Sequence, residues 1–333
     1  MKKDARQNGF VSPWWCRNGH QQTVWRSFFG ETPALPLVRE RWETPDDDFL
    51  DLDFLTPNPE SADADGLPTL LCLHGLEGSS RSKYSLGMLR AAGRMGWRGA
   101  ALNFRSCSGE INWQPRFYHS GETTDLDWVV RRLEARWPES PLFVVGFSLG
   151  GNVLLKWLGE RGAEAGDLIR ASAVVSAPFD LGVAARRIDA IFGRLYGRNF
   201  LPSLKQKMLE KSKVFPDLID ADAVRRITAY IRFEDEIFAP VHGFKDAEDY
   251  WAQCSARYFL KGIRVPTRVI HAADDPFLPG ASLPMKEARA SQALSFSISE
   301  HGGHVGFVHG CWPWRAAYWA EPQITRFFSR FVS

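Results

Sequence analysis

The sequence has little cysteine and no pattern to it. Five residues, Cys16, Cys72, Cys107, Cys254 and Cys311, are spread over 333 positions, odd in number and with no C-x-x-C pair. That excludes a disulfide framework and argues for a reducing compartment. Long apolar runs are absent as well: none approaches the length that spans a bilayer. Residues 1–8 carry positive charge with no apolar segment behind them, which is not the layout of a signal peptide. Charge of one sign is also lacking. A formal net charge of +2 gives no global electrostatic case for nucleic acid as a partner. The expectation is a cytoplasmic protein without a transmembrane segment. Trp14-Trp15 and Trp25 with Phe28-Phe29 leave peripheral membrane contact open.

What is present centres on residues 141–152, P-L-F-V-V-G-F-S-L-G-G-N. Leu142 to Val145 form a short run of branched and aromatic residues, the signature of a strand buried on both faces. G-F-S-L-G follows, and Val153, Leu154, Trp157 and Leu158 then recur at helical spacing. Strand, tight turn and helix are the setting in which a G-x-S-x-G makes a nucleophile elbow. The turn holds Ser148 in strained backbone geometry, and residues two positions away must lack a Cβ to avoid the neighbouring strand and helix. The helix start sets backbone N–H groups and a positive dipole end beside the hydroxyl.

Residues 1–36 read as irregular. The runs 37–44 and 49–55 read as a hairpin, and 57–66 as a polar loop. Strands are expected over 69–73, 100–104, 142–145, 171–176, 266–272 and 293–299. Helices are expected over 82–95, 123–137, near 282–290 and at the C-terminal end. Alternation of strand and helix implies a parallel sheet covered on both faces. It breaks at about 181, where a helical, more basic segment begins. The series Lys205, Lys207, Lys211 and Lys213 reads there as a solvated helix face.

Two further strand ends carry chemistry. Asp274-Asp275-Pro276 follows one strand, and His301-Gly302-Gly303-His304 follows the next. The strand ends of a parallel sheet are where such folds set their sites. Asp275 is the better acid because the D-x-apolar-apolar-Pro frame begins at the acid, leaving Asp274 a turn or capping role. His304 is the better base because it lies deeper in the glycine loop than His301. A metal bound by the two histidines and an aspartate is disfavoured by the H-x-x-H spacing and the lack of a third ligand frame. Ser148, Asp275 and His304 then form a nucleophile, orienting acid and base. The backbone N–H groups of Leu76, after His74-Gly75, and of Leu149 would form the oxyanion hole.

In these motifs the chain resembles the α/β-hydrolase superfamily, and within it the YheT-like esterases, the AB hydrolase 4 family. The resemblance is carried by N-G-H-Q-Q-T at 18–23, L-H-G-L-E-G-S-S at 73–80, Y-H-S-G-E-T-T-D at 118–125 and G-F-S-L-G-G-N at 146–152. It continues in H-G-F-K-D-A-E-D-Y at 242–250, A-D-D-P-F at 273–277 and E-H-G-G-H-V-G-F at 300–307. It implies an α/β-hydrolase fold and cleavage of carboxylic esters by Ser148, Asp275 and His304 without a cofactor. Eukaryotic members are similar to lipid esterases acting on glycerolipids. Ser106 stands where the family's F-R-G-C-S-G-E has glycine.

The expected organisation is a single domain over 1–333. An extension and hairpin occupy 1–64, the catalytic core 65–180 and 256–333, and a helical cap insert 181–255. The expected substrate is a small ester with an apolar or lipid-like acyl group. The alternatives are an acyltransferase on the same three residues, or a non-catalytic binding protein of the same fold. The latter would have a broken elbow or triad, and neither is broken here.

Overall fold

The computed structural model describes residues 9–55, 66–191 and 200–332. The expected loop over 57–66 lies outside the described residues except for Gly66, and so do residues 1–8.

Eight strands form one sheet: β1 (Val38–Thr44), β2 (Asp48–Leu55), β3 (Thr69–Leu73), β4 (Arg98–Asn103), β5 (Leu142–Phe147), β6 (Ala171–Val175), β7 (Thr267–Ala272) and β8 (Leu294–Ser299). Their order is β1-β2-β4-β3-β5-β6-β7-β8. The hairpin β1–β2 joins β4 antiparallel, and every later pairing is parallel. Strand β5 sits centrally, and alternate side chains serve opposite layers. Val144 joins the core that holds Val129 and Leu154, while Phe143 and Val145 join the one that holds Leu89 and Phe328. Burial on both faces is why these strands read as unbroken apolar runs. Cys72 in β3 is fully buried, which pushes its thiol up to about 12.

The helices are α1 (Gly19–Phe28), α2 (Lys83–Arg94), α3 (Thr124–Arg136), α4 (Leu149–Arg161) and α5 (Ala165–Leu168), with α12 (Met285–Ala290) and α13 (Ala320–Phe328) near the end. Between β6 and β7 the described chain forms helices but no strand: α6 (Leu181–Ile191), α7 (Leu201–Ser212), α8 (Ala221–Arg226), α9 (Tyr230–Phe233), a π-helical turn over Glu234–Phe238, α10 (Ala239–Val241) and α11 (Ala247–Cys254). A two-stranded ribbon, β9 (Val308–His309) with β10 (Ala317–Tyr318), is too short to leave a period in the sequence. No helix among the described residues is long and apolar enough to cross a membrane.

Two expectations are corrected. The stretch before residue 36 is not irregular throughout, because α1 runs through it. Its start is a capping box in which the Asn18 side chain accepts from the Gln21 N–H and Gln21 reaches back to the Asn18 N–H. The helix escaped the apolar period because the face it buries is polar: Gly19, Gln22, Thr23 and Arg26. The lysine series of α7 is not a solvated face either. Lys207 pairs with Glu77 at 2.6 Å. Lys211 is buried and donates to the carbonyls of Asn112 and Gln114. Their acceptors lie about a hundred residues upstream, beyond the reach of any local pattern.

The long loop from Arg105 to Ser120 is fastened by charge. Arg105 is buried and meets Asp48 at 2.6 Å, Asp125 at 2.7 Å and Asp46 at 3.0 Å. Ser106 takes a left-handed φ of 65°, the backbone that suits the glycine expected there, and its hydroxyl bonds Asn112 Oδ1 at 2.6 Å.

Candidate active site

Ser148 stands between β5 and α4 with φ 51° and ψ −120°. This is a strained backbone for a residue with a Cβ, and it is held by the surrounding chain. The Ser148 N–H donates to the Val175 carbonyl at 2.9 Å. A Cβ on Gly146 would collide with the Gly150 carbonyl, and one on Gly150 would come within 2.5 Å of the His74 carbonyl. The elbow glycines are therefore demanded by sterics on both sides of the serine.

His304 reaches the site from the loop after β8. Its Nε2 lies 2.9 Å from Ser148 Oγ and its Nδ1 lies 2.8 Å from Asp275 Oδ2. Asp275, in the loop after β7, is buried. Its other oxygen accepts the N–H groups of Phe277 at 2.9 Å and Leu278 at 3.1 Å. With Asp275 committed as acceptor, Nδ1 carries the proton and Nε2 is left to accept from the serine hydroxyl. The ring edge of Phe277 packs on His304 at 5.0 Å. The passed-over residues form a second pair. Asp274 Oδ2 bonds His301 Nδ1 at 3.0 Å, while its Oδ1 accepts the Gly303 N–H at 2.9 Å. Asp274 thus braces the histidine loop, and His301 does not approach Ser148.

Leu76 and Leu149 both line the cavity into which Ser148 opens. The Gly75 N–H is taken by Tyr84 Oη at 2.8 Å and the Glu77 N–H by Tyr118 Oη at 2.8 Å. The Leu76 and Leu149 N–H groups have no acceptor among the described residues. His74, buried behind this loop, accepts the Phe104 N–H through Nε2 and donates through Nδ1 to Gly75 O. Burial pushes its pKa down to about 4, so it is a neutral brace for the loop.

Several residues of the site were not found by sequence reasoning. Thr23 of α1 accepts the His304 N–H at 2.8 Å. Gln22 bonds both the N–H and the carbonyl of Val308, at 2.6 and 3.0 Å. Ser176 accepts the Val305 N–H at 3.1 Å. The motif N-G-H-Q-Q-T is the signal that could have pointed to the first two: its Gln22 and Thr23 are spent on the histidine loop and the chain just after it. Replacing Thr23 by Val, which keeps the shape and removes the acceptor, is expected to lower kcat about tenfold with little change in KM, read by steady-state ester hydrolysis.

No group of three or more His, Cys, Asp or Glu that could hold a metal ion occurs among the described residues. A cavity of about 540 Å³ opens above Ser148, walled by Leu149, Pro178, Leu181, Ile188 and Phe277 among others.

The α/β-hydrolase fold family matches residues 68–310, which span the elbow, the acid loop and the histidine loop. This chain is an α/β-hydrolase. It is 39% identical to "Putative esterase YheT" of Escherichia coli (strain K12), over 95% of this chain and 91% of that protein. It is 29% identical to mouse phospholipase ABHD3, over 96% of this chain and 76% of that one. The monoacylglycerol lipase of Saccharomyces cerevisiae is 30% identical, over 75% of this chain and 57% of that one. Among solved structures, the Pyrococcus furiosus esterase Pf2001 superposes with a TM-score of 0.59 at 16% identity, covering 90% of this chain and 92% of its own. That likeness is one of fold.

Proposed function

We propose that this α/β-hydrolase cleaves carboxylic esters through an acyl-enzyme on Ser148. The observation that carries the reading is the continuous hydrogen-bond chain from Ser148 Oγ through His304 to buried Asp275, ending on a cavity. His304 Nε2 takes the hydroxyl proton as Oγ attacks the ester carbonyl carbon. Asp275 holds the tautomer and offsets the charge of the imidazolium. The oxyanion forms against the Leu76 and Leu149 N–H groups, each worth about 3 kcal/mol to the transition state. Collapse returns the proton to the departing alcohol. Water then repeats the sequence on the acyl-enzyme and frees the acid.

Kinship supports the chemistry: its relatives are named esterase, phospholipase and monoacylglycerol lipase. The chain is an ester hydrolase on that ground, and the apolar cavity wall favours an apolar acyl group with a lipid-like ester as substrate. The segment 181–255 acts as the cap of that pocket, since α6 and α9 supply Leu181, Ile188 and Tyr230 to its wall. Five unbridged cysteines support the cytoplasm as its compartment.

Labelling by a fluorophosphonate probe tests the nucleophile. The wild-type protein is expected to be labelled and Ser148→Ala to be blank. A folded wild type that resists the probe, or a variant that still takes it, overturns the reading. A series of p-nitrophenyl esters then gauges the pocket by its chain-length optimum.

A further inference from the structure

Six aromatic side chains form two strings of ring contacts across the surface between α1 and the loop before β10. Trp314 stacks on Trp312 at 5.3 Å, and Trp312 meets Trp14 at 5.8 Å. Trp15 meets Trp25 at 4.6 Å, and Trp25 meets Phe29 at 5.0 Å. The neighbours Trp14 and Trp15 close the gap between the two halves. Their indole N–H groups bond the carbonyls of Cys311 and Gly310, both at 3.0 Å. The segment 9–17 is thus strapped onto the loop that carries Trp312 and Trp314. Four of the six rings are open to solvent, with Trp314 76% exposed, Phe29 67%, and Trp14 and Trp312 also exposed, while Trp15 and Trp25 are half-buried beneath them; Val11 and Phe28 are exposed beside them. An apolar surface of this extent on a water-facing protein calls for an occupant.

Two observations say which. Phe28 lines the cavity above Ser148, so the patch runs to the mouth of the site. The two segments that carry it are poor in acid, and of the acids lining the cavity, Glu77 and Glu234, Glu77 is paired with Lys207. Residues 9–32 and 308–318 contain a single acid, Glu31, and it is neutralised by Arg90 at 2.8 Å. Arg17 and Arg315 within these segments are exposed, and so is Arg81 at the cavity. Exposed tryptophan and phenylalanine flanked by arginine is the composition of a surface that lies in the headgroup region of an anionic bilayer. We infer that this face docks the protein on membranes containing anionic phospholipid, with the cavity mouth set against the lipid. Aromatic rings enter the acyl boundary, the arginines meet phosphate, and an acyl chain reaches Ser148 without crossing water.

The full chain is mixed with vesicles of phosphatidylcholine, with or without phosphatidylglycerol, and separated by flotation. The wild type is expected to float with the anionic vesicles and much less with the neutral ones. The double variant Phe29→Ser/Trp314→Ser, neither residue of which lines the cavity, is expected to bind about tenfold or more weakly. Its hydrolysis of soluble p-nitrophenyl acetate should be unchanged, which shows that it is folded. A second measurement needs no variant: vesicles of brominated phosphatidylcholine with phosphatidylglycerol should quench wild-type tryptophan emission more than unbrominated ones. Equal emission in the two, no flotation with anionic vesicles, or equal flotation of wild type and variant overturns the proposal. So does a wild-type dimer in sedimentation equilibrium that the double variant abolishes, since a second copy of the chain would then own the patch. Binding is scored without turnover, so it stands or falls separately from the esterase reading.

Discussion

Replacing Asp275 by Asn is expected to lower kcat about 10⁴-fold, with the fold intact and substrate binding little changed. The loss follows from the hydrogen bonds around the carboxylate. One oxygen is committed to two backbone N–H groups and the other to His304 Nδ1. The two amides require the asparagine oxygen on their side, so its NH₂ turns to Nδ1. That nitrogen must then accept, the ring proton moves to Nε2, and the group facing Ser148 becomes a donor that takes no proton. Asp274→Asn supplies the contrast. It weakens a brace to Gly303 and His301, both outside the proton path, and is expected to cost less than about tenfold. Single-turnover hydrolysis of the two variants side by side decides between these acids. Equal losses would remove Asp275 from the role given to it.

The largest expected effect on stability lies elsewhere. Arg105→Met should destabilise the protein by about 3–5 kcal/mol, because it strips the cation from two carboxylates that remain buried. Asp48 and Asp125 are both nearly inaccessible. Burial alone would raise the Asp48 pKa, but the Asn112 side chain, the N–H groups of Trp113 and Phe49 and the Arg105 charge together hold it below the ordinary carboxylate range. A carboxyl depressed in the native state adds stability that is fully present above its unfolded pKa of about 3.9. That stability is lost as pH falls through the lower native value. In Arg105→Met these acids protonate more readily, so the gap to wild type should be widest near neutrality and narrow towards acid. Urea unfolding at several pH values reads both the size and the trend.

The sheet was legible because the inner parallel strands bury both faces and so show as short apolar runs, while the half-exposed edge strand β8 alternates apolar residues with serine. The positions of Ser148, Asp275 and His304 were legible because glycine and acid at strand ends are rare enough to stand out together. Helix α1 was not, since its buried residues are Gln22, Thr23 and Arg26 and the apolar period has nothing to register. Lys207 and Lys211 were misread for a related reason. Lysine is charged on sequence and solvated by default, and only partners such as Glu77 and the Asn112 carbonyl make its burial tolerable. Thr23, Gln22, Ser176 and Tyr84 support the site through hydrogen bonds to backbone, and no spacing connects a residue to a partner set by tertiary packing.

The histidine loop is pinned by residues from the opposite end of the sequence. Thr23 and His304 are 281 positions apart, and Gln22 and Val308 are 286 apart. Contacts of such separation carry the greatest loop-closure cost, so they form late in folding. The Ser148 elbow, whose N–H is tied to the carbonyl of Val175, closes over a far shorter stretch of chain than the histidine loop does. The placing of His304 thus depends on more than its own loop: two stretches of chain 281 to 286 positions apart must have met.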